Sequence, residues 1–213
     1  MRRLAIAALS LALHPAWALA QPDAPVPKPE VKVGDRWIYH QWDQMHEKLV
    51  KTYELRVSFA DRNVIHTVVK RQDQSESDAM WTSEWNSTHS VLGEGVIDPS
   101  TGFFRFPLQV GATYQTSFEI AFPQRGSLRQ RRDYTVRVVG WEEVAVAAGR
   151  FRALKLEADG TWQRLDARGG GRLHSVFWYA PEAKRWVKNI LEVHGPKGPV
   201  VSWVEELVLF SVQ

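Results

Sequence analysis

Apolar and polar residues alternate along much of this sequence, and this period of two constrains the fold more than any other feature. Three segments show it clearly, with these residues on one face: Tyr53, Leu55, Val57 and Phe59; Ile65, Thr67 and Val69; Tyr134, Val136 and Val138. Such alternation is typical of β-strands with one buried face. Turn-forming residues separate the strands as hairpins at 60–63, 98–102, 168–171 and 195–199. Parallel strands need long crossovers, which the pattern lacks, so we predict an all-β fold with a curved antiparallel sheet of about ten strands.

Two segments add detail to this prediction. Residues 177–179 and much of 200–210 are apolar on both faces of a strand. Strands of this kind are covered on both sides, which predicts a half-barrel or sandwich-like arrangement. Residues 77–85 fit either a helix or a strand, because Trp81 and Trp85 satisfy both spacings; we favour the strand.

The N-terminal segment of the chain predicts an exported protein. Residues 1–20 combine two arginines, an apolar stretch and a final Ala-Leu-Ala, as in a cleaved signal peptide. Residues 21–30 contain four prolines and are expected to form an extended leader that acts as a spacer. Residues 31–213 then form a single β domain, without a transmembrane segment, that is periplasmic if the organism is Gram-negative.

Composition excludes several chemistries. The chain has no cysteine, so disulfides, thiolate catalysis and a lipid-bearing cysteine are ruled out. Its formal charge is +3, and it becomes +3 − 2 = +1 once the signal arginines are removed, which argues against nucleic-acid binding. His46-Glu47 lacks the second histidine of a zinc-binding helix, and no Gly-x-Ser-x-Gly motif occurs. We therefore predict no catalytic residue, no metal and no cofactor.

Tryptophans and arginines supply the candidate ligand-binding residues. Trp81 and Trp85 are set among polar residues, and of the nine tryptophans of the mature chain they are the best candidates to face a ligand or solvent. Core packing is the competing interpretation. One group of arginines could form a positive rim for phosphate or an anionic lipid headgroup: Arg125, Arg129, Arg131 and Arg132, of which Arg129 and Arg131 are the chosen candidates. The alternative is an ordinary charged hairpin tip.

Four motifs together resemble a family of uncharacterised exported bacterial β-proteins, a domain-of-unknown-function family. They are Val33-Gly34-Asp35-Arg36-Trp37-Ile38-Tyr39, residues 106–114, residues 144–155, and Phe177-Trp178-Tyr179-Ala180-Pro181-Glu182. The resemblance implies a curved antiparallel fold, reminiscent of periplasmic lipoprotein carriers, and it supplies no catalytic residues. Tyr114 stands where a tryptophan is usual, and Arg150 where a threonine often precedes the phenylalanine. Each motif also contains a glycine or proline that is typical of a turn at the beginning or end of a strand.

These observations lead to one principal functional hypothesis and two alternatives. The first is a non-enzymatic envelope protein that binds an apolar ligand or a partner segment on an aromatic-rich concave face. The second is a scaffolding or assembly protein in cell-envelope or polysaccharide biogenesis. The third is a polysaccharide hydrolase that uses a pair of carboxylates. The expected partner is a lipid, a glycan or an envelope protein.

Overall fold

The computed structural model describes residues 24–89, 95–126 and 128–213. The predicted signal peptide and the start of the leader lie outside these residues. The strands are β1 Arg36–Asp43, β2 Lys48–Ala60, β3 Val64–Arg71, β4 Glu76–Thr82, β5 Val96–Asp98, β6 Thr113–Ala121, β7 Arg129–Val146, β8 Gly149–Arg164, β9 Gly170–Ala180, β10 Arg185–Gly195 and β11 Gly198–Ser211. Two short 3₁₀ helices, Pro123–Arg125 and Pro181–Ala183, complete the described elements.

All eleven strands belong to one open antiparallel sheet, in the order β4-β3-β2-β1-β11-β10-β9-β8-β7-β6-β5. This confirms the predicted all-β, antiparallel fold. The sheet is strongly curled, as shown by the side chains of β2, β7 and β11, which line one common cavity. Residues 86–89 bridge the two edge strands, with Ser87 paired to Trp81 of β4 and His89 paired to Val96 of β5. The edges are thus partly covered, as an exposed sheet edge requires.

The alternation predicted from the sequence is confirmed for most of the inward-facing residues. Tyr53, Leu55 and Val57 are buried on the concave face, but Phe59 is 48% exposed. The register of β2 against β3 shifts between Val57 and Phe59, which inserts an extra residue. A bulge of this kind turns every following side chain to the opposite face. Residues 76–82 form β4, so the strand interpretation is confirmed for residues 77–82. Residues 83–85 form a turn instead, in which Trp85 has a φ of 63°.

The prediction of cover on both faces was wrong for the last strand. Val200 is 58% exposed, and Val201 and Leu209 are also exposed. The reason is that a single curled sheet covers only its concave side, and no second sheet packs on the convex side of the described residues. The half-barrel alternative therefore describes the fold, and the sandwich alternative does not.

The leader is not merely a spacer over its described part. Val26 is only 6% exposed, and its backbone pairs with Leu108 through two hydrogen bonds of 2.7 and 2.8 Å. The Lys28 ammonium donates to the Ser83 hydroxyl at 3.1 Å. The valine between two prolines keeps its own N–H and apolar side chain, which the pattern of prolines alone does not reveal.

A buried aspartate anchors the first of the family-like motifs, residues 33–39. Gly34 has a φ of 94°, as a turn before β1 requires, and it precedes the fully buried Asp35. The Asp35 carboxylate accepts hydrogen bonds from the Gln213 and Lys32 backbone N–H groups at 2.9 and 3.0 Å, and it pairs with the Lys184 ammonium at 3.1 Å. This carboxylate therefore joins the start of the domain to its last residue.

The glycines at 169–171 serve more than the predicted turn. Gly170 and Gly171 already belong to β9. The Trp162 side chain of β8 crosses above Gly171 and donates its indole N–H to the His194 carbonyl of β10 at 3.1 Å. A Cβ on Gly171 would lie 1.8 Å from that carbonyl oxygen, so the strands can approach in this way only around a glycine.

Candidate functional site

A cavity of about 350 Å³ lies on the concave face of the sheet. Aromatic side chains form much of its wall, among them Trp81, Trp85, Trp186, Phe104, Phe118 and Phe177. The polar groups along the wall are fewer and include Lys51, Arg132, Ser175, Asn189 and Glu205. A largely apolar cavity with a few convergent polar groups is the usual form of a small-molecule site.

The chain itself fills the rest of the concave face. Phe104 is buried and stacks on Trp186, with the ring centroids 5.7 Å apart and an interplanar angle of 5°. The Asn86 side chain holds this segment by a pair of hydrogen bonds to the Phe104 backbone, 2.7 Å to its carbonyl and 2.9 Å from its N–H. The remaining cavity is therefore bounded by side chains with fixed positions.

A buried cation lies behind the aromatic wall. Arg185 is fully buried, and its guanidinium carbon is 3.7, 4.2 and 4.4 Å from the ring centroids of Trp186, Trp85 and Trp81. Trp37 and Tyr39 lie at 5.9 Å. None of its guanidinium nitrogens has a hydrogen-bond partner among the described residues. The cation is thus stabilised by ring faces, since cation–π contacts strengthen when water is excluded.

Glu205 supplies the negative charge near this cation. One of its oxygens accepts a short hydrogen bond from the Tyr53 hydroxyl, and the other accepts the Trp186 indole N–H at 2.9 Å. Burial, followed by the charge of Glu205, raises the pKa of Tyr53 well above its ordinary value, so this tyrosine remains a donor. Burial lowers the pKa of Arg185, and Tyr39, Tyr53 and Glu205 oppose that shift.

Arg132 is the second guanidinium near the cavity, and it faces the cavity directly. It lies on β7, two residues before the inward-facing Tyr134, and its side chain shares the concave face. One terminal nitrogen donates to the Gln130 side-chain oxygen at 3.2 Å. Its Nε is buried and has no hydrogen-bond partner among the described residues.

The structure separates the four residues predicted to bind a ligand. Trp81 and Trp85 both line the cavity, but they are almost completely buried and also pack as part of the core. Arg129 and Arg131 point to the convex face, where they pair with Glu119 and Asp133. Arg131 borders an open depression there, whereas neither arginine lines the concave cavity. Ligand binding by these four residues stays a prediction.

The sequence analysis placed Arg132 in the arginine group without choosing it as a candidate, and it missed Arg185, Asn189 and Glu205. For Arg132 a signal was present, because the alternation that places Tyr134 inside also places residue 132 inside and residue 131 outside. No local pattern marks Arg185, because apart from the adjacent Trp186 its aromatic partners come from two distant segments, 37–39 and 81–85.

The cavity offers little support for hydrolysis. Glu205 is the one carboxylate among its described lining residues, whereas a glycoside hydrolase needs two facing carboxyl groups. No group of three histidine, aspartate or glutamate side chains forms a metal-binding cluster within residues 24–89, 95–126 and 128–213.

The fold matches solved structures of bacterial proteins. One is a candidate lipoprotein from Parabacteroides distasonis ATCC 8503, with a TM-score of 0.58, 12% identity, and coverage of 89% of this chain and 100% of that chain. Another is a candidate exported protein with a YmcC-like fold from Bacteroides fragilis NCTC 9343, with a TM-score of 0.56, 13% identity, and coverage of 88% and 100%. This chain shares their fold. At such identities the likeness concerns the fold alone.

No family model matches the sequence, and no curated protein matches it at a significant level. Membership of the exported family that the four motifs resemble therefore stays a prediction. Within the part of the chain that the structure describes, no helix is long and apolar enough to cross a membrane.

Proposed function

We propose that this protein is an exported, non-enzymatic binding protein that holds an apolar ligand in its concave cavity. The observation that carries the proposal is the space of about 350 Å³ that remains after the chain's own aromatic side chains have packed. A concave, partly open pocket with a largely aromatic wall and a few polar groups is the usual form of a site for small apolar molecules.

The size of the cavity limits what it can hold. Ligand sites are typically about 300–1,000 Å³, so this one is at the small end of the range. A single hydrocarbon chain or a small aromatic molecule suits it, whereas a lipid with several acyl chains exceeds it. The signal-peptide pattern and the exported proteins that share the fold support a role outside the cytoplasm.

The proposal can be tested with N-phenyl-1-naphthylamine, a probe that fluoresces in apolar surroundings. The mature protein should bind the probe at a single site. Leu191 lines the cavity, so Leu191→Trp should fill it and weaken binding by about tenfold or more, since overpacked sites tolerate little added volume. The matched control is Leu165→Trp, at an exposed position outside the cavity, which should bind normally. Equal probe binding by both variants, or none by the unmodified protein, would refute the proposal.

A second function has one observation in its favour. Exposed apolar side chains cluster at the ends of two neighbouring hairpins, β1–β2 and β10–β11: Trp42, Met45, Leu49, Val50 and Val200. Contiguous exposed apolar surface often marks a protein contact site. A scaffolding role would predict that charged substitutions at Trp42 and Leu49 abolish capture of an envelope partner and leave probe binding intact.

A further inference from the structure

The cavity presents a positive charge that the described part of the protein does not balance. Arg132 lines the wall, and no carboxylate pairs with it among the described residues. One terminal nitrogen donates to the neutral side chain of Gln130, and the neutral Tyr134 side chain also interacts with the guanidinium. Partly buried charges are usually paired with an opposite charge, so a guanidinium at a cavity wall with only neutral partners favours an anionic ligand.

The neighbouring arginines show that unpaired charge is not a general property of this strand. Arg129 and Arg131 face the opposite side of β7, and each pairs with a carboxylate, Glu119 and Asp133 respectively. These pairs lie on the solvent-exposed convex face, where pairing contributes little. The unpaired guanidinium is on the buried side, where a missing partner matters most.

Glu205 does not supply the missing acceptor. Its two oxygens already accept hydrogen bonds from Tyr53 and Trp186, and its charge lies close enough to Arg185 to counter that cation. Arg132 therefore presents a positive charge at the cavity wall that Glu205 does not offset.

We propose that the ligand is a single-chain amphiphile with an anionic head, and that Arg132 binds this head while the aromatic wall surrounds the hydrocarbon chain. This inference rests on the proposed binding function and names the class of ligand. A charge-assisted hydrogen bond from a guanidinium to a carboxylate is about twice as strong as a neutral one. A carboxylate or phosphate head would place a negative charge beside the guanidinium at the cavity wall. The hydroxyl of a neutral head accepts only a weaker, uncharged hydrogen bond, and a cationic head is repelled.

Three probes with the same chain and different heads test the charge: dodecanoate, dodecan-1-ol and dodecyltrimethylammonium. Each is used to displace N-phenyl-1-naphthylamine from the mature protein. Dodecanoate should bind about tenfold more tightly than dodecan-1-ol, as expected for one charge-assisted contact in a dry site. Dodecyltrimethylammonium should bind more weakly than either.

Substitutions at two adjacent positions identify the residue responsible. Arg132→Gln should remove the preference for dodecanoate and leave dodecan-1-ol binding within about twofold, whereas Arg132→Lys should keep most of the preference. Arg131→Gln is the matched control on the opposite face and should behave like the unmodified protein. Circular dichroism and urea unfolding would establish that every variant is folded.

The outcomes separate this inference from the proposed function. Equal binding of dodecanoate and dodecan-1-ol would overturn the inference and leave the binding function standing, and so would a preference that survives Arg132→Gln. Tighter binding of dodecyltrimethylammonium would assign the head group to Glu205 instead and also overturn it. Failure of all three amphiphiles to displace a bound probe would exclude this ligand class. Failure of the probe itself to bind would refute both proposals.

Discussion

Replacing Glu205 with glutamine tests the buried charge arrangement behind the aromatic wall. Arg185 has no exposed surface, and its charge is stabilised by five aromatic rings and by the carboxylate of Glu205. Glu205→Gln keeps the shape of the side chain and an oxygen that can accept the Trp186 indole N–H, but it removes the negative charge. It also replaces the oxygen that accepts the Tyr53 hydroxyl with an amide group that donates, so the measured loss includes this hydrogen bond.

The expected loss of stability follows from the burial of the cation. Removing one partner of a directly paired buried charge typically costs about 3–5 kcal/mol, whereas Glu205 and Arg185 interact without a direct hydrogen bond between them. The aromatic rings continue to stabilise Arg185 by about 2 kcal/mol or more, so the lower half of the range is expected. For a domain of this size, a loss of about 3 kcal/mol lowers the melting temperature by roughly 6–12 °C.

Urea unfolding followed by tryptophan fluorescence and far-ultraviolet circular dichroism measures the effect. The matched control is Glu206→Gln on the next residue, whose carboxylate pairs with the Lys188 ammonium at 2.8 Å on the convex face. A partly exposed pair of this kind contributes about 0–1 kcal/mol. If Glu205→Gln costs no more than Glu206→Gln, the reasoning about the buried cation is wrong. Adding Arg185→Met to Glu205→Gln should recover part of the loss, because both charges are then absent.

Three further predictions concern packing and ionisation. Gly171→Ala should destabilise the fold by about 1–3 kcal/mol through overpacking, whereas Gly195→Ala, where a Cβ meets only ordinary contacts at 3.6 Å or more, should be nearly neutral; thermal unfolding compares the two. Val26→Ala should cost about 1–2 kcal/mol in urea unfolding because the side chain is buried, and the exposed Val33→Ala should change stability by less than about 0.5 kcal/mol. Burial raises the pKa of Tyr114 to about 12. The contribution of this shift to folding stability is therefore complete below pH 10 and is lost as the pH rises through 12. An ultraviolet difference spectrum between the unmodified protein and Tyr114→Phe that shows ionisation near pH 10 would contradict this.

The regular part of the fold could be predicted because one face of each strand is buried. Tyr53, Leu55 and Tyr134 follow the alternation, and the pairing of the strands agrees with their inward direction. Phe59 breaks the rule because its orientation depends on a bulge against a neighbouring strand, and that pairing leaves no mark within the segment itself. The packed leader is a similar case, since Val26 finds its partner at Leu108, far along the chain.

The candidate site was only partly accessible to sequence reasoning. The polar neighbours of Trp81 and Trp85 make them candidates from the sequence. Both rings pack against the Arg185 guanidinium, and no local motif predicts this contact. Arg131 and Arg132 belong to the same group of arginines, and the clustering of charge does not distinguish between them. The period of two distinguishes these neighbours, and it places Arg132 alone on the concave face. The volume of a cavity depends on how side chains from distant strands pack together, and amino-acid composition does not determine this packing.

Native mass spectrometry of the mature protein, purified gently from its own exported compartment, tests the central claim most directly. We expect a fraction of the protein to carry one bound small amphiphile. This ligand should be released on denaturation and should be absent from the Leu191→Trp variant. Added dodecanoate should restore a one-to-one complex in any ligand-free fraction. A protein that carries no ligand and forms no such complex, or a complex that forms equally well in Leu191→Trp, would contradict the claim that the concave cavity is a binding site.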